Sequence, residues 1–271
     1  MKVKRNFFLS VVVAILIFAP VNTFAFTPVD TLTFTDESIP GKALVLVFTP
    51  QNLTGAEIPA VFLLHGWSGD AFDWTKNVDL QKISDTTGMI IICPEGFYDS
   101  WYVNSTVSAN HQLESFFVET LYPTIRLQYP LSPENVFITG LSMGGHGALL
   151  LALKYPSIFA AAGSMSGILD ITAFPKNWGI AKRLGDYNKN KTVWENNSVI
   201  NLLGKTENLN LPLFVDCGKD DFAFKVNQDF AAKAKRLGHN LIFLEKSGTH
   251  DWKFWTSSIY EHFNFFLNQI K

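Results

Sequence analysis

The sequence predicts an α/β fold with a mostly parallel central sheet and helices on both faces, and three observations carry that prediction. Ala60 to Leu64, Met89 to Cys93, Val136 to Thr139, Leu213 to Asp216 and Leu241 to Leu244 are short apolar runs without strict alternation, as strands buried on both faces are. Helical stretches stand between and after them, at Asp79 to Thr86, Gln112 to Leu127, Met143 to Lys154, Asn227 to Arg236 and Trp252 to Ile270, which implies parallel crossovers. The chain has 271 residues, 47% hydrophobic and only 17% charged, enough for one large core.

The elements follow in order. Lys2, Lys4 and Arg5 form a basic head, Phe7 to Phe18 is nearly unbroken apolar sequence, and Pro20 precedes Thr23-Phe24-Ala25. This is the layout of a secretory signal peptide, with cleavage expected after Ala25 and export to the periplasm or the medium. The apolar run is shorter than the roughly 20 residues of a membrane-spanning helix, so no integral membrane domain is expected after cleavage. Losing the leader removes three positive charges and no acid, so the formal charge of −2 becomes −5. Without a basic cluster, that balance argues against nucleic acid or an anionic membrane as the main partner.

Residues 26–271 read as a single domain. Thr31 to Phe34 and Ala43 to Phe48, separated by Pro40-Gly41, predict a hairpin or meander near one sheet edge. Ala160 to Ser164, rich in small residues, predicts a further strand. Leu169 to Leu211 is polar and interrupts the alternation, which predicts an insertion or partial lid. Cys93 and Cys217 are too few for a disulfide framework. The usual strand order of such a sheet sets them about four spacings, roughly 19 Å, apart, beyond the about 7 Å reach of a bridge. Cys-x-x-Cys, His-Glu-x-x-His and Gly-x-x-x-x-Gly-Lys are all absent, so zinc and P-loop chemistry have no warrant.

The most informative segment is Val136-Phe-Ile-Thr-Gly140-Leu-Ser142-Met-Gly144-Gly-His-Gly147: a strand, a glycine-bracketed serine, then an apolar helix. A hydroxyl is a poor nucleophile unless held exposed beside a base, and a sharp strand-to-helix turn lifts Ser142 off the sheet. Side chains at positions 140 and 144 would collide in so tight a turn. A second loop, Leu64-His65-Gly66-Trp67-Ser68, follows a strand and shares the carboxyl edge where ligands bind in open sheets. The backbone amides of Trp67 and Met143 are the candidate oxyanion hole, while the His65 side chain reads as a structural group bonding loop backbone.

A nucleophile–acid–histidine chain order restricts the base to His239, His250 or His262. His239 precedes a strand, at the wrong end of the sheet, and His262 lies within the last helix. His250 follows a strand in the loop Ser247-Gly-Thr-His-Asp and is the candidate base. The orienting acid should also follow a strand. Asp216 falls inside the run, and spacing alone does not separate Asp220 from Asp221.

Together, Leu64-His65-Gly66, Gly140-Leu-Ser142-Met-Gly144-Gly-His-Gly147, Asp216-Cys-Gly-Lys-Asp-Asp221-Phe and Gly248-Thr-His250-Asp-Trp252-Lys-Phe-Trp255 resemble one group of α/β-hydrolases. It contains esterase D (S-formylglutathione hydrolase), secreted feruloyl and acetylxylan esterases, and the mycolyltransferases. The resemblance runs from about residue 43 to the C-terminus. It implies an α/β-hydrolase fold, Asp221 as the acid, and a place for Trp101 and Tyr102 near the acyl pocket. Trp252 and Trp255 are expected to pack, and His146 to pack or cap.

The expected function is that of an exported serine carboxylesterase working through an acyl-enzyme, with Ser142, His250 and Asp221 as a triad and without a metal or organic cofactor. Its partner is a small-molecule or carbohydrate-linked ester. Feruloylated sugars, acetylated polysaccharide and short-chain esters all suit an aromatic-lined cleft. The rival readings are an acyltransferase on the same triad and a non-catalytic carbohydrate or cell-surface binding module, which would have no need of all three residues.

Overall fold

The computed structural model of the protein describes residues 29–52, 57–206 and 209–271; the leader and its cleavage point lie outside the described residues. Among the described residues eight strands, β1 (Val29–Phe34), β2 (Ala43–Phe48), β3 (Ile58–Leu64), β4 (Ile90–Pro94), β5 (Leu131–Gly140), β6 (Ala161–Met165), β7 (Leu213–Gly218) and β8 (Leu241–Lys246), form one sheet in the order β1-β2-β4-β3-β5-β6-β7-β8. β1 and β2 are the antiparallel hairpin at one edge, β2 runs antiparallel to β4, and the other pairings are parallel.

Side-chain alternation along the strands feeds two cores. Phe62 and Leu64 on β3 face a cluster covered by α4 (Met143–Lys154), α8 (Phe224–Arg236) and a helical run after residue 112. Val61 and Leu63 face the other cluster, covered by α1 (Leu80–Thr87) and α9 (Trp252–Leu267). Both faces of the inner strands are therefore apolar, which is why their sequences lack alternation. β8 differs from the expectation of a strand buried on both faces: it is an edge strand, and Ile242 is half-exposed.

The helix expected from Gln112 to Leu127 is three pieces: α2 (Leu113–Ser115), a wide π turn (Phe116–Leu121) and α3 (Tyr122–Gln128). Pro123 enters the first turn of α3 without an N–H to donate, so the regular hydrogen-bond ladder cannot pass through it unbroken. Between β6 and β7, the expected insertion carries α5 (Ile180–Leu184), α6 (Lys191–Asn196) and α7 (Val199–Leu202). Cys93 on β4 and Cys217 on β7 are buried and free.

Register places the site. Leu64 pairs with Gly140, so the loop after β3 and the turn after β5 emerge side by side. Gly218 pairs with Lys246, so the loops after β7 and β8 also leave the sheet together.

Candidate active site

Ser142 sits in the turn between β5 and α4 with φ 52° and ψ −114°, a left-handed backbone that a non-glycine residue adopts at a cost. Its amide donates to the Met165 carbonyl at 2.9 Å, which ties the turn to β6. The glycines are a packing requirement. A Cβ on Gly140 would stand 2.7 Å from the Gly144 carbonyl and from the Leu64 oxygen, and one on Gly144 would stand 2.5 Å from the His65 oxygen.

His250 lies in the loop between β8 and α9, where Asp251 caps the helix by accepting from the Phe254 amide at 2.9 Å. His250 Nε2 is 2.9 Å from Ser142 Oγ, and Nδ1 is 3.0 and 2.9 Å from the two Asp221 carboxylate oxygens. The ionised carboxylate can only accept, so Nδ1 carries the proton and the Nε2 lone pair faces the serine hydroxyl. Asp221 is buried and also accepts from the Ala223 amide at 2.7 Å, whereas Asp220 is exposed. Burial, a tertiary fact, separates these neighbours.

The other histidines sit elsewhere. His239 Nε2 bonds the Leu203 carbonyl at 3.0 Å, and His262 is buried against Thr139 and Asp216. His65 is buried: the Gly96 amide donates to Nε2 and Nδ1 donates to the Gly66 carbonyl, each at 2.8 Å, so the ring shapes the loop. His146 faces the carbonyls of Asn197 at 2.8 Å and Trp101 at 3.2 Å, and burial lowers its pKa to about 4.

Among the described residues, neither the Trp67 nor the Met143 amide has a hydrogen-bond partner. Met143 is the first residue of α4, so its N–H lies among those a helix leaves unpaired. A cleft of about 240 Å³ is lined by Ser142 and His250 together with Trp67, Asp73, Trp101, Trp178, Phe222, Trp252 and Trp255. A wider groove of about 730 Å³ between α8 and β8 contains none of these residues.

The cleft divides the predicted aromatic pair. Trp101 lines it, but Tyr102 does not: its ring fills the space beside Gly147 and its hydroxyl donates to the His65 carbonyl at 3.1 Å. Trp101 and Tyr102 both have positive φ, near 57° and 55°, and their two rings meet different surroundings. Trp252 and Trp255 pack as expected, against Trp74 and His250, and line the cleft as well. Trp178, Phe222 and Asp73 were not singled out from the sequence; only the position of Phe222, next to Asp221, gave any signal. Among the described residues no group of three His, Cys, Asp or Glu is placed to hold a metal ion.

A sheet of this topology, with a serine, a histidine and a buried aspartate meeting at its carboxyl edge, defines an α/β-hydrolase of the serine esterase class. The chain belongs to the putative esterase family, whose model matches residues 37–266. It is 28% identical to an acetyl esterase of Caldicellulosiruptor saccharolyticus over 77% of this chain and 83% of that protein. It is 27% identical to a diacylglycerol acyltransferase/mycolyltransferase of Mycobacterium tuberculosis over 76% of this chain and 72% of that protein. The solved structure of a ferulic acid esterase superposes with a TM-score of 0.75 at 26% identity, covering 90% of this chain and 98% of that one.

Proposed function

We propose that the protein is an exported esterase that cleaves acyl esters of carbohydrates through an acyl-enzyme on Ser142. The observation that carries this reading is the continuous contact from Asp221 through His250 to Ser142, with both links between 2.9 and 3.0 Å. His250 Nε2 takes the hydroxyl proton as Ser142 Oγ attacks the ester carbonyl. Asp221 keeps the imidazole in the required tautomer and stabilises the imidazolium that forms. The unpartnered amides of Trp67 and Met143 receive the oxyanion, an arrangement that strengthens binding as charge develops. His250 then returns the proton to the departing alcohol, and water, activated by the same imidazole, releases the acid.

The aromatic cleft wall and the acetyl and ferulic acid esterase relatives support a carbohydrate ester as substrate, because aromatic rings stack on the apolar faces of sugars. The basic and apolar leader supports export. Acetylated xylan, p-nitrophenyl acetate, methyl ferulate and S-formylglutathione, tested with the mature protein and with Ser142→Ala, check the reading. Release of acid from a carbohydrate ester by the wild type, lost in the variant, is expected. Hydrolysis retained by Ser142→Ala overturns the assignment.

A further inference from the structure

Trp178 comes from the insertion between β6 and β7 and forms one wall of the cleft. Its ring stacks on Phe222, 5.4 Å away at 29°, and tilts against Trp101 at 6.2 Å; Phe222 in turn lies 4.3 Å from the His250 ring. Trp101, Trp178, Phe222 and His250 therefore make a continuous arch of rings beside Ser142. Trp178 holds φ 48° and the next residue, Gly179, φ 71°. A bulky residue keeps a left-handed backbone only where its surroundings enforce it, and such positions cluster at ligand clamps.

The surroundings here are specific. Trp101 Nε1 donates to the Trp178 carbonyl at 3.1 Å. One turn on, Arg183 in α5 bonds Asp99 twice, Nη2 to the carboxylate and Nε to the main-chain carbonyl at 3.2 Å. The Arg183 carbonyl accepts from Ser105 Oγ at 2.8 Å and from the Thr106 amide at 2.9 Å. Gly179 lies so close that a Cβ there would stand 2.6 Å from the Asp99 carboxylate. The Asp99 and Arg183 side chains are only 8% and 12% exposed, so solvent screens their attraction weakly. The pair takes no part in proton transfer. What it fixes is the position of the insertion, and with it Trp178, against the loop that carries Trp101.

The chemistry orients the cleft. The departing alcohol must lie beside His250 Nε2 to receive its proton, and both Phe222 and Trp255 pack against that imidazole. The acyl group, bonded to Ser142 Oγ, shares the small cleft with Trp178 and with Trp101, which packs on His146 of α4 and meets Trp178. We infer that Trp178, held by the Asp99–Arg183 pair, sets the length of acyl group the cleft accepts, admitting acetyl and similarly short groups and excluding feruloyl and medium-chain ones. The inference rests on the esterase reading above and narrows its substrate class.

The test uses p-nitrophenyl acetate, butyrate and octanoate, whose common leaving group makes the ratio of kcat/KM values report the acyl side alone. With the mature wild type, acetate is expected to exceed octanoate by about a hundredfold, and Trp178→Ala to narrow the ratio by about tenfold through the KM for octanoate. Trp178→Phe should fall between. Arg183→Met should narrow the ratio as Trp178→Ala does, Arg183→Lys should restore part of it, and the double variant should add nothing further. If Arg183→Met fails to fold, the graded Trp178 series alone decides. An unchanged ratio in a Trp178→Ala protein that still hydrolyses acetate overturns the inference. A wild type that hydrolyses no ester and binds no fluorophosphonate overturns the esterase reading itself, a distinguishable result.

Discussion

Asp216 in β7 and Asp221 just past it each face a histidine, but only the histidine on Asp221 lines the cleft: the Asp221 carboxylate is 2.9 Å from His250 Nδ1, whereas that of Asp216 is 3.4 Å from His262 Nε2. Asp216 lies within the strand and points to the α9 side, where Lys246 at 2.8 Å and Ser258 Oγ also hold it. One strand thus supplies a structural carboxylate from its middle and the site's carboxylate from just past its end.

The two aspartates should separate in mutants. Asp221→Asn is expected to lower kcat by on the order of 10⁴, because the imidazole loses its tautomer and its counter-charge, with little loss of stability. Asp216→Asn is expected to cost on the order of 3 kcal/mol by leaving buried donors without their charge. Its activity per folded molecule should stay near that of the wild type. Steady-state kinetics and urea denaturation of both variants check this.

Gly144→Ala should abolish activity and lower stability together, since the added methyl meets the His65 carbonyl at 2.5 Å and forces the loop that carries the Trp67 amide away from Ser142. Gly204→Ala is the control: nothing stands within 4 Å of its Cβ position, and a change within about 0.5 kcal/mol is expected. Thermal melting and p-nitrophenyl acetate hydrolysis of the two variants give the comparison.

His146 makes stability depend on pH. Burial depresses its pKa from 6.5 to about 4 in the folded protein. Between those values the unfolded chain binds a proton that the folded chain refuses, so its contribution is intact above 6.5 and lost as pH falls toward 4, by roughly 3 kcal/mol in full. Asp216, where burial opposes the charged form but His262 and Lys246 together outweigh it and lower the pKa, acts in a separate window, losing its contribution only as pH falls below 3.8. His146→Gln should flatten the melting curve between pH 6.5 and 4 relative to the wild type; an unchanged slope would contradict this.

Cys93 and Cys217 are separated by β3, β5 and β6 in the sheet, and burial pushes both thiols up. Ellman's reagent should detect two thiols in the unreduced protein after denaturation and react slowly with the folded form. An intramolecular disulfide by mass would contradict the strand order.

The parts of the fold that were legible are those with a local physical signature. Doubly buried strands read as unbroken apolar runs, and Ser142 is announced by glycines that its turn requires. His250 follows from a histidine just past a strand. Asp221 was not separable from Asp220 by spacing, because which of two adjacent carboxylates is buried depends on where the β8 loop lands. The resemblance implies a place near the acyl pocket for both Trp101 and Tyr102, yet only Trp101 lines the cleft, while Tyr102 turns to the His65 carbonyl, a contact 37 positions away in sequence. Trp178 gave no signal: the insertion lacks periodicity, and the Asp99–Arg183 contact that places it spans 84 positions.

Ser142, as the proposed nucleophile, should carry the acyl group of the intermediate. Incubation of the protein with a fluorophosphonate, followed by peptide mapping by mass spectrometry, reads this out at residue level. A single adduct is expected, on Ser142, absent from Ser142→Ala and suppressed by prior incubation with an ester substrate; an adduct on another residue, or labelling that survives Ser142→Ala, would contradict the assignment of Ser142.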